Sequence, residues 1–464
     1  MLDAFSQIEN ILTRKGAATI HNVPDGFIAL LLEGLARRQS ALYQQEKGQQ
    51  EKQEKSQKGQ KGKQAKQEKQ AKQGIIYVAS DARRMNELQQ ALQFFAPDLP
   101  VIMFPAWDCL PYDRIAPNAA ICAARMTALA QFIEIKQSSM PYIVLTTANA
   151  ITQYVPPREV VSRQSFALKL DQKLAHEKLI QFLIDNGYTR ASLVMEQGDF
   201  AIRGGIIDLF PPGAKHPVRL DFFGDRLEKI RLFEAETQQT ISPQQIGPQQ
   251  KAQCESLILH AASEIRLDKP SIARFRKKYI AAFGAPSAQS TPDPLYEAIK
   301  AGSRYAGMEH YLPLFHEKLE TLFDYLPNAL LIFDHLAENA ISERSNQVQD
   351  YYQARCDILR LEKDKNPNII KPLPPAMLYL DEDKWQALLA KRDIRTLSPF
   401  DMAEKADSLS AQVKPAYNFA AERAQENINL FDALINHIKI LQKQGKRVIL
   451  VSRSDDARAR LASL

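Results

Sequence analysis

Hydrophobic and polar residues alternate in three short segments near the middle of the chain. These segments, separated by a Gly-Gly pair and by a loop rich in proline and glycine, are Asp199–Arg203, Ile206–Phe210 and Val218–Phe223. Alternation with a period of two, interrupted by turns of this composition, predicts an antiparallel β-meander. A helix pattern over Gln172–Asn186 precedes the meander, and we expect the two to form one domain.

Neighbouring side chains of a β-strand point to opposite faces of the sheet. One face of this meander would therefore be apolar, and the other would carry Arg203, Arg219 and Phe223. Arginine and aromatic side chains together are typical of protein–protein interfaces. The ordinary alternative is that the arginines pair with Asp208 or Asp221 and that Phe223 packs under a neighbouring helix. The alternation alone leaves both interpretations open.

Strand and helix patterns alternate along the first 165 residues, which predicts a doubly wound α/β domain. The predicted strands are Ala17–Ile20, Ile75–Val78, Val101–Phe104 and Tyr142–Thr146, and the predicted helices are Ile28–Arg37 and Arg83–Phe94. A RecA-type ATPase places its phosphate-binding loop between the first strand and the first helix of such a domain. That loop requires glycines, a lysine and a serine or threonine to hold phosphate and Mg²⁺.

The loop that follows the first predicted strand lacks this chemistry. Its centre is Asp25-Gly26-Phe27, and no Gly-Lys-Ser or Gly-Lys-Thr sequence occurs anywhere in the chain. The carboxylate of Asp25 would repel phosphate, and Pro24 removes a backbone donor. We therefore predict a degenerate nucleotide site and no catalytic residues.

The predicted fold class is α/β. It comprises a degenerate RecA-like doubly wound domain in two halves, an inserted β-meander and helix domain, and a truncated α/β domain. The predicted parts are 1–165 (first half), 166–249 (meander domain), 250–366 (second half), 367–375 (proline-rich linker) and 376–464 (partial α/β domain). In the last part, strands are predicted at Ala376–Leu380, Ile394–Leu397 and Arg447–Val451, with a helix at Asn429–Gln444.

The net charge of +6 arises mostly from one segment. Residues 44–73 contain nine lysines and four glutamates among glutamines and glycines, so one net positive charge remains for the rest of the chain. This composition cannot bury a core, and it predicts a disordered insertion or a frayed polar helix. A weak electrostatic tether to DNA or RNA is the alternative.

Several classes of protein are excluded by composition and motifs. The four cysteines form no CxxC pair and the eight histidines no HExxH sequence, so we expect neither a disulfide framework nor a metal site. No apolar run approaches the roughly 20 residues that a membrane helix needs. The first fifteen residues do not form a signal peptide, and we expect a cytoplasmic protein without a membrane contact.

The meander region resembles a known family. The stretches GDFAIRGGIIDLFPPG and RLDFFGDRLEKIRLFE, between Gly198 and Glu234, resemble the second domain of the bacterial transcription-repair coupling factor (Mfd) family and a block of the excinuclease subunit UvrB. The block Phe104–Leu129 also resembles the coupling factors, and Leu322–Ala340 resembles both families. The resemblance implies that this region binds UvrA through Arg203, Arg219 and Phe223. It would thereby bring nucleotide excision repair to RNA polymerase stalled at a DNA lesion.

The resemblance also bears on the nucleotide site. UvrB holds an acidic pair at the position of Asp334-His335, where it coordinates Mg²⁺ and activates water, and only Asp334 is acidic here. An aspartate that caps the strand end or the next helix is the simpler interpretation. Asp25, Gly26, Phe27 and Asp334 would then be the remains of a nucleotide site.

The coupling factor family continues with an RNA-polymerase-binding domain, an ATP-dependent DNA translocase motor and a C-terminal regulatory domain. None of their motifs occurs in this sequence. We therefore expect an N-terminal part of such a protein, ending within its third domain, without a cofactor of its own. ATP, Mg²⁺, RNA polymerase and DNA would be bound by the other domains, and the UvrA-binding face would be open.

The alternative function is a UvrB-type ATPase that verifies DNA damage. It would need an intact phosphate loop and a long β-hairpin rich in aromatic residues. Tyr112 is the sole aromatic residue between Trp107 and Arg125, and that stretch is too short for such a hairpin. A stand-alone nucleotide sensor would likewise need a glycine-rich loop that the sequence does not contain.

Overall fold

The computed structural model describes residues 10–57, 74–135, 140–242, 244–245, 247–285, 293–362, 370–402, 408–411, 413, 417–425, 427–450, 452 and 454–463. The chain divides into a large compact unit that ends at Gln412 and a small one that begins at Val413.

The strands of the described ranges belong to three sheets of the large unit. In chain order they are β1 (Ala17–His21), β2 (Ile75–Ala79), β3 (Val101–Phe104), β4 (Ile143–Thr147), β5 (Ser165–Lys169), β6 (Thr189–Arg190), β7 (Asp199–Arg203), β8 (Ile206–Leu209), β9 (Val218–Phe223), β10 (Arg226–Leu232), β11 (Ser256–His260), β12 (Leu330–Phe333), β13 (Ile394–Leu397) and β14 (Ser408–Ser410).

Helices connect these strands and make up the described secondary structure of the small unit. In chain order they are α1 (Asp25–Gln57), α2 (Ala82–Phe95), α3 (Ala119–Ile135), α4 (Ala148–Ile151), α5 (Arg158–Arg163), α6 (His176–Asp185), α7 (Pro248–Gln253), α8 (Lys269–Phe283), α9 (Pro294–Lys300), α10 (Leu312–Phe315), α11 (Leu322–Tyr325), α12 (Ala337–Glu362), α13 (Glu382–Leu389), α14 (Ala420–Arg423), α15 (Leu430–Lys443) and α16 (Asp455–Ala462). Short 3₁₀ turns lie at Met308–Tyr311 and Pro375–Met377.

The largest sheet is parallel and has seven strands in the order β14-β1-β13-β12-β2-β4-β3. Every residue of β2, β4 and β12 is buried, as is typical of a parallel sheet whose two faces are both covered by helices. The predicted mixed α/β fold is thus confirmed.

Strand β13 lies elsewhere than expected. It pairs with β1 on one side and β12 on the other, with Ile394 opposite both Ala17 and Leu331. The segment after the proline-rich linker therefore contributes to the sheet of the first domain, and the expected separate domain at 376–464 does not contain β13. Its central residue Arg395 is fully buried and donates hydrogen bonds to the carbonyl oxygens of Ile11 and Gly16, each at 2.8 Å.

Two predicted strands of the C-terminal part are absent among the described residues. The start of Ala376–Leu380 belongs to the 3₁₀ turn Pro375–Met377, because consecutive prolines fix their φ angles and lack backbone donors. Residues 447–450 are not in a strand, and the described part of the small unit offers no strand with which they could pair. The helix predicted over Asn429–Gln444 is present as α15, with Asn429 at its N-cap.

The lysine- and glutamine-rich segment is helical in its first part, because α1 continues through Gln57. Residues 58–73, where the expectation of disorder also applied, lie outside the described residues. Among the helices that the structure describes, none has the length and apolar character needed to cross a membrane.

The second sheet contains the predicted meander, in the order β10-β9-β8-β7-β6. Its apolar face packs on helix α6 through a cluster that includes Leu179, Leu183, Phe200, Ile207 and Leu220. Strand β11 was expected to begin the return to the first domain. It instead pairs antiparallel with β5, and the side chains of this two-stranded sheet join the same cluster.

A buried ion pair connects helix α3 to the segment that follows the meander domain. Nε and Nη2 of Arg125 donate to the carboxylate of Glu264 at 3.0 and 3.1 Å. The indole of Trp107 donates to the same carboxylate at 2.8 Å. The block Phe104–Leu129 thus supplies the partners that fix the returning chain against the parallel sheet.

Candidate functional site

The register of β7, β8 and β9 assembles the polar face of the meander. Asp208 on the central strand β8 lies opposite Ala201 on β7 and Arg219 on β9. Ile206, two residues earlier on β8, lies opposite Arg203. Side chains two residues apart share a face, so the register places both arginines on the same side of the sheet.

Arg219 is engaged within the sheet. Its Nε and Nη2 donate to the two carboxylate oxygens of Asp208 at 2.7 and 2.9 Å. Its guanidinium carbon lies 4.7 Å from the centre of the Phe233 ring. The hydrogen bonds to Asp208 raise the pKa of Arg219 above its usual value. The internal ion pair that the sequence left open is therefore formed by this arginine.

Phe223 and Arg203 lie on the open part of the same face. Phe223 ends strand β9 and is 76% exposed, so no helix of the described ranges covers it. Arg203 ends strand β7, is exposed, and donates from Nη2 to the carbonyl oxygen of Ser192 at 2.8 Å. These two side chains expose an aromatic ring and a cation on this face.

Two further cations belong to this face and were missed in the sequence. The ladder between β9 and β10 shifts its register between Leu227 and Lys229, which places Lys229 opposite Asp221. Arg231 shares that face and pairs with Asp221 at 2.6 Å. The sequence feature that could have indicated them is the pair of consecutive polar residues between the apolar Leu227 and Ile230, which is the pattern of a β-bulge.

Glycine positions the end of β9 beside the β7–β8 turn. Gly204 has a φ of +61°, and a Cβ on Gly205 would lie 2.8 Å from the carbonyl oxygen of Phe222. The amide of Phe222 donates to the carbonyl oxygen of Gly205 at 2.8 Å. The backbone next to Phe223 therefore depends on the absence of a side chain at position 205.

We expect Gly205→Ala to lower the free energy of unfolding by about 1–3 kcal/mol, because the contact is with backbone and β9 must shift. Urea denaturation measures this change. Gly26→Ala is the matched control, since a Cβ there meets no atom within 4 Å. Equal stabilities of the two variants would contradict the close approach.

The predicted nucleotide-site residues lie at the carboxyl edge of the parallel sheet. Asp25 begins α1 after β1, and Asp334 follows β12. Arg84, in the first turn of α2, lies between them: Nη2 donates to Asp25 at 2.9 Å and to Asp334 at 3.1 Å, and Nε also donates to Asp334. Burial opposes the charge of Arg84, but these hydrogen bonds outweigh it and raise the pKa of the guanidinium.

The other groups at this edge are also occupied. The side chain of Asp334 is 1% exposed and accepts from Nδ1 of His335 at 2.9 Å. The amide of Phe27 donates to the carbonyl oxygen of Pro24 at 2.8 Å, and Gly26 lacks the left-handed conformation of a phosphate-cradling loop. Within the described ranges, no three histidine, cysteine or carboxylate side chains gather as a metal site.

Arg84 was not identified from the sequence. The sequence indicates only the local role of Asp81, whose position before a helix pattern is typical of an N-cap. Asp81 does cap α2, by accepting from the amide of Arg84 at 2.9 Å. The partners of the guanidinium lie at the start of helix α1 and directly after strand β12, 59 and 250 residues away in the sequence, and no local pattern reveals them.

Comparisons with known proteins agree with this geometry. The family model of the UvrB interaction domain matches residues 166–247, which contain the meander and helix α6. The transcription-repair-coupling factor of Rickettsia bellii (strain RML369-C) is 31% identical over 81% of this chain and 31% of its own length. Those of Haemophilus influenzae and Escherichia coli (strain K12) are 31% and 29% identical, each over 67% of this chain and 25% of their own length. The chain spans about a third of the length of the curated relatives that it matches most extensively. The expected resemblance is thus confirmed: this chain is similar to the transcription-repair-coupling factors over about four fifths of its length, and its residues 166–247 match the UvrB interaction domain.

Proposed function

We propose that the polar face of the meander binds UvrA and so recruits nucleotide excision repair. The observation that carries the proposal is Phe223, an exposed aromatic side chain on the face that also bears Arg203, within a UvrB interaction domain. As part of a coupling factor, this chain would deliver UvrA to RNA polymerase stalled at a lesion. Contacts with polymerase and DNA and ATP-driven translocation would belong to the remaining length of such a protein.

The three proposed binding residues have different roles on this face. Phe223 would fill an apolar socket on UvrA. Arg203 would pair with a carboxylate, and its planar guanidinium allows the bidentate geometry that lysine cannot reproduce. Arg219 is held by Asp208, so it would orient strand β9 and present Nη1, which makes no hydrogen bond to the described part of the chain. Arg219 and Phe223 are four residues apart, about 13 Å along the strand, which one interface spans.

Titration of UvrA against the wild type, Phe223→Ala and Arg203→Ala tests the proposal. Each variant should lose about 2 kcal/mol of binding free energy, or roughly thirtyfold in affinity, because truncated anchors at an interface centre cost this much. Both residues are exposed, so the thermal unfolding curves should stay unchanged.

Two substitutions outside the meander are matched controls. Phe94 and Arg83 on helix α2 are also exposed, and alanine at either position should leave UvrA affinity unchanged. Wild-type binding that survives both Phe223→Ala and Arg203→Ala would show that UvrA uses another face.

Two observations argue against the alternative function, a UvrB-type ATPase. The carboxylates that such a site would use to bind Mg²⁺ already accept hydrogen bonds from Arg84. Tyr112 is buried and donates from its hydroxyl to the carbonyl oxygen of Leu373 at 2.9 Å, so it is not presented to DNA. We therefore propose a binding role for this chain and no ATP hydrolysis.

A further inference from the structure

A cavity of about 240 Å³ lies between helix α12, the 3₁₀ turn Pro375–Met377 and the start of helix α13. Its lining includes Arg344 and Val348 from α12, the rings of Tyr379 and Trp385, and the aliphatic side chain of Ile341. The volume corresponds to about eight water molecules at roughly 30 Å³ each, so a small organic molecule fits.

The side chain of Arg344 is the unusual member of this lining. The residue is 8% exposed, its Nε is buried without a hydrogen-bond partner, and no carboxylate of the described residues forms an ion pair with it. It instead contacts Tyr379: the ring centre lies 5.9 Å from the guanidinium carbon, and the guanidinium also donates a hydrogen bond to the tyrosine hydroxyl. The fully buried arginines at positions 125 and 395 are, by contrast, bound to a carboxylate or to carbonyl oxygens.

The two acidic residues of the lining are already engaged elsewhere. Asp381 caps helix α13 by accepting from the amide of Lys384 at 2.9 Å, and it pairs with Nζ of the same lysine at 2.9 Å. Glu382 accepts from Nε2 of Gln386 at 2.8 Å. Neither carboxylate compensates the charge of Arg344.

A buried charge without a counter-ion is costly, and proteins normally pair it. We propose that the cavity binds a small anion, of the size of a dicarboxylate or a phosphate ester, whose carboxylate or phosphate group pairs with Arg344. A guanidinium presents parallel N–H donors that match either group. The rings of Tyr379 and Trp385 would contact the rest of the ligand. This site is independent of the proposed UvrA surface on the meander.

Thermal unfolding of the full chain in succinate or in inorganic phosphate, at constant ionic strength balanced with sodium chloride, tests the site. At least one anion should raise the melting temperature saturably by several degrees, because a ligand that binds only the folded state stabilises it. The anion that acts at the lower concentration identifies the preferred group. The variant Arg344→Met should show no such rise, and in chloride alone it should melt no lower than the wild type, since it removes an unpaired buried charge.

Two further variants keep the test decisive if Arg344→Met does not fold. Ala376→Trp places a large ring in the cavity lining from an exposed position, leaves Arg344 in place and should abolish the response. Arg360→Met removes an exposed arginine from the same helix and should respond like the wild type. A wild type without a saturable shift in either anion would overturn the proposal. An equal shift in wild type, Arg344→Met and Ala376→Trp would overturn it as well.

Discussion

Replacing Arg84 by alanine is expected to lower the free energy of unfolding by about 3–5 kcal/mol, because it leaves a buried carboxylate without its cation. That carboxylate belongs to Asp334, whose side chain is 1% exposed. Asp25 adds little to the effect, since it lies at the surface and water can replace its partner.

Urea denaturation followed by tryptophan fluorescence measures this change, because both tryptophans, Trp107 and Trp385, lie in the large unit. The neighbouring Arg83 is a matched control: it lies on the same helical turn, but it is exposed and its ion pair is with the exposed Glu87. Arg83→Ala should change the stability by no more than about 0.5 kcal/mol. Equal stabilities of the two alanine variants would contradict the importance of the buried pair.

The double variant Arg84→Ala/Asp334→Asn separates charge from packing. Removing both charges should recover part of the loss, because the remaining amide is far less costly to bury than a carboxylate. The resulting coupling energy between the two residues is the quantity that a double-mutant cycle reports. A double variant as unstable as the sum of the single ones would show that the two side chains act separately.

The meander and the buried strands could be predicted because their signals are local. Strands β3, β7 and β9 have the predicted bounds. A strand pattern also fixes which side chains share a face, so the alternation alone was enough to group Arg203, Arg219 and Phe223.

Pairing between distant segments could not be predicted in the same way. Strand β13 has only four residues, Ile-Arg-Thr-Leu. This short pattern does not indicate whether the strand joins an existing sheet or begins a new one. Arg395 within it looks like a surface residue, and carbonyl oxygens of the N-terminal segment and of Ile394 make its burial tolerable. The partners of Arg84 and Arg125 likewise come from remote positions.

Replacing Arg125 by alanine should destabilise the large unit even more than the change at Arg84, because both partners of the Arg125–Glu264 pair are buried. The loss leaves Glu264 uncompensated, which costs about 3–5 kcal/mol. It also removes the guanidinium from contact with the ring of Phe104, 4.4 Å away, and from the carbonyl oxygen of Pro105 at 2.8 Å. A cavity in place of this large side chain adds a further penalty.

Arg125→Lys tests whether charge alone suffices. Lysine keeps the positive charge but offers no planar pair of donors for Glu264 and no stacking on Phe104, so most of the loss should persist. The double variant Arg125→Met/Glu264→Gln should be more stable than either single change at these positions, because no unpaired charge stays buried. Arg114→Ala, at an exposed position of the same block, should be neutral.

The Arg125 variants also report on how the meander domain is attached. Trp107 donates its indole N–H to the same carboxylate, and Glu264 follows the strand pair that closes the meander domain. The fluorescence of Trp107 should therefore change in Arg125→Ala at urea concentrations below the main unfolding transition. If the meander binds UvrA as proposed, the affinity measured below that concentration should stay at the wild-type value, since Phe223 and Arg203 lie on a sheet with its own apolar core. A parallel loss of UvrA binding and of the Trp107 signal would instead show that the proposed binding face depends on the buried pair.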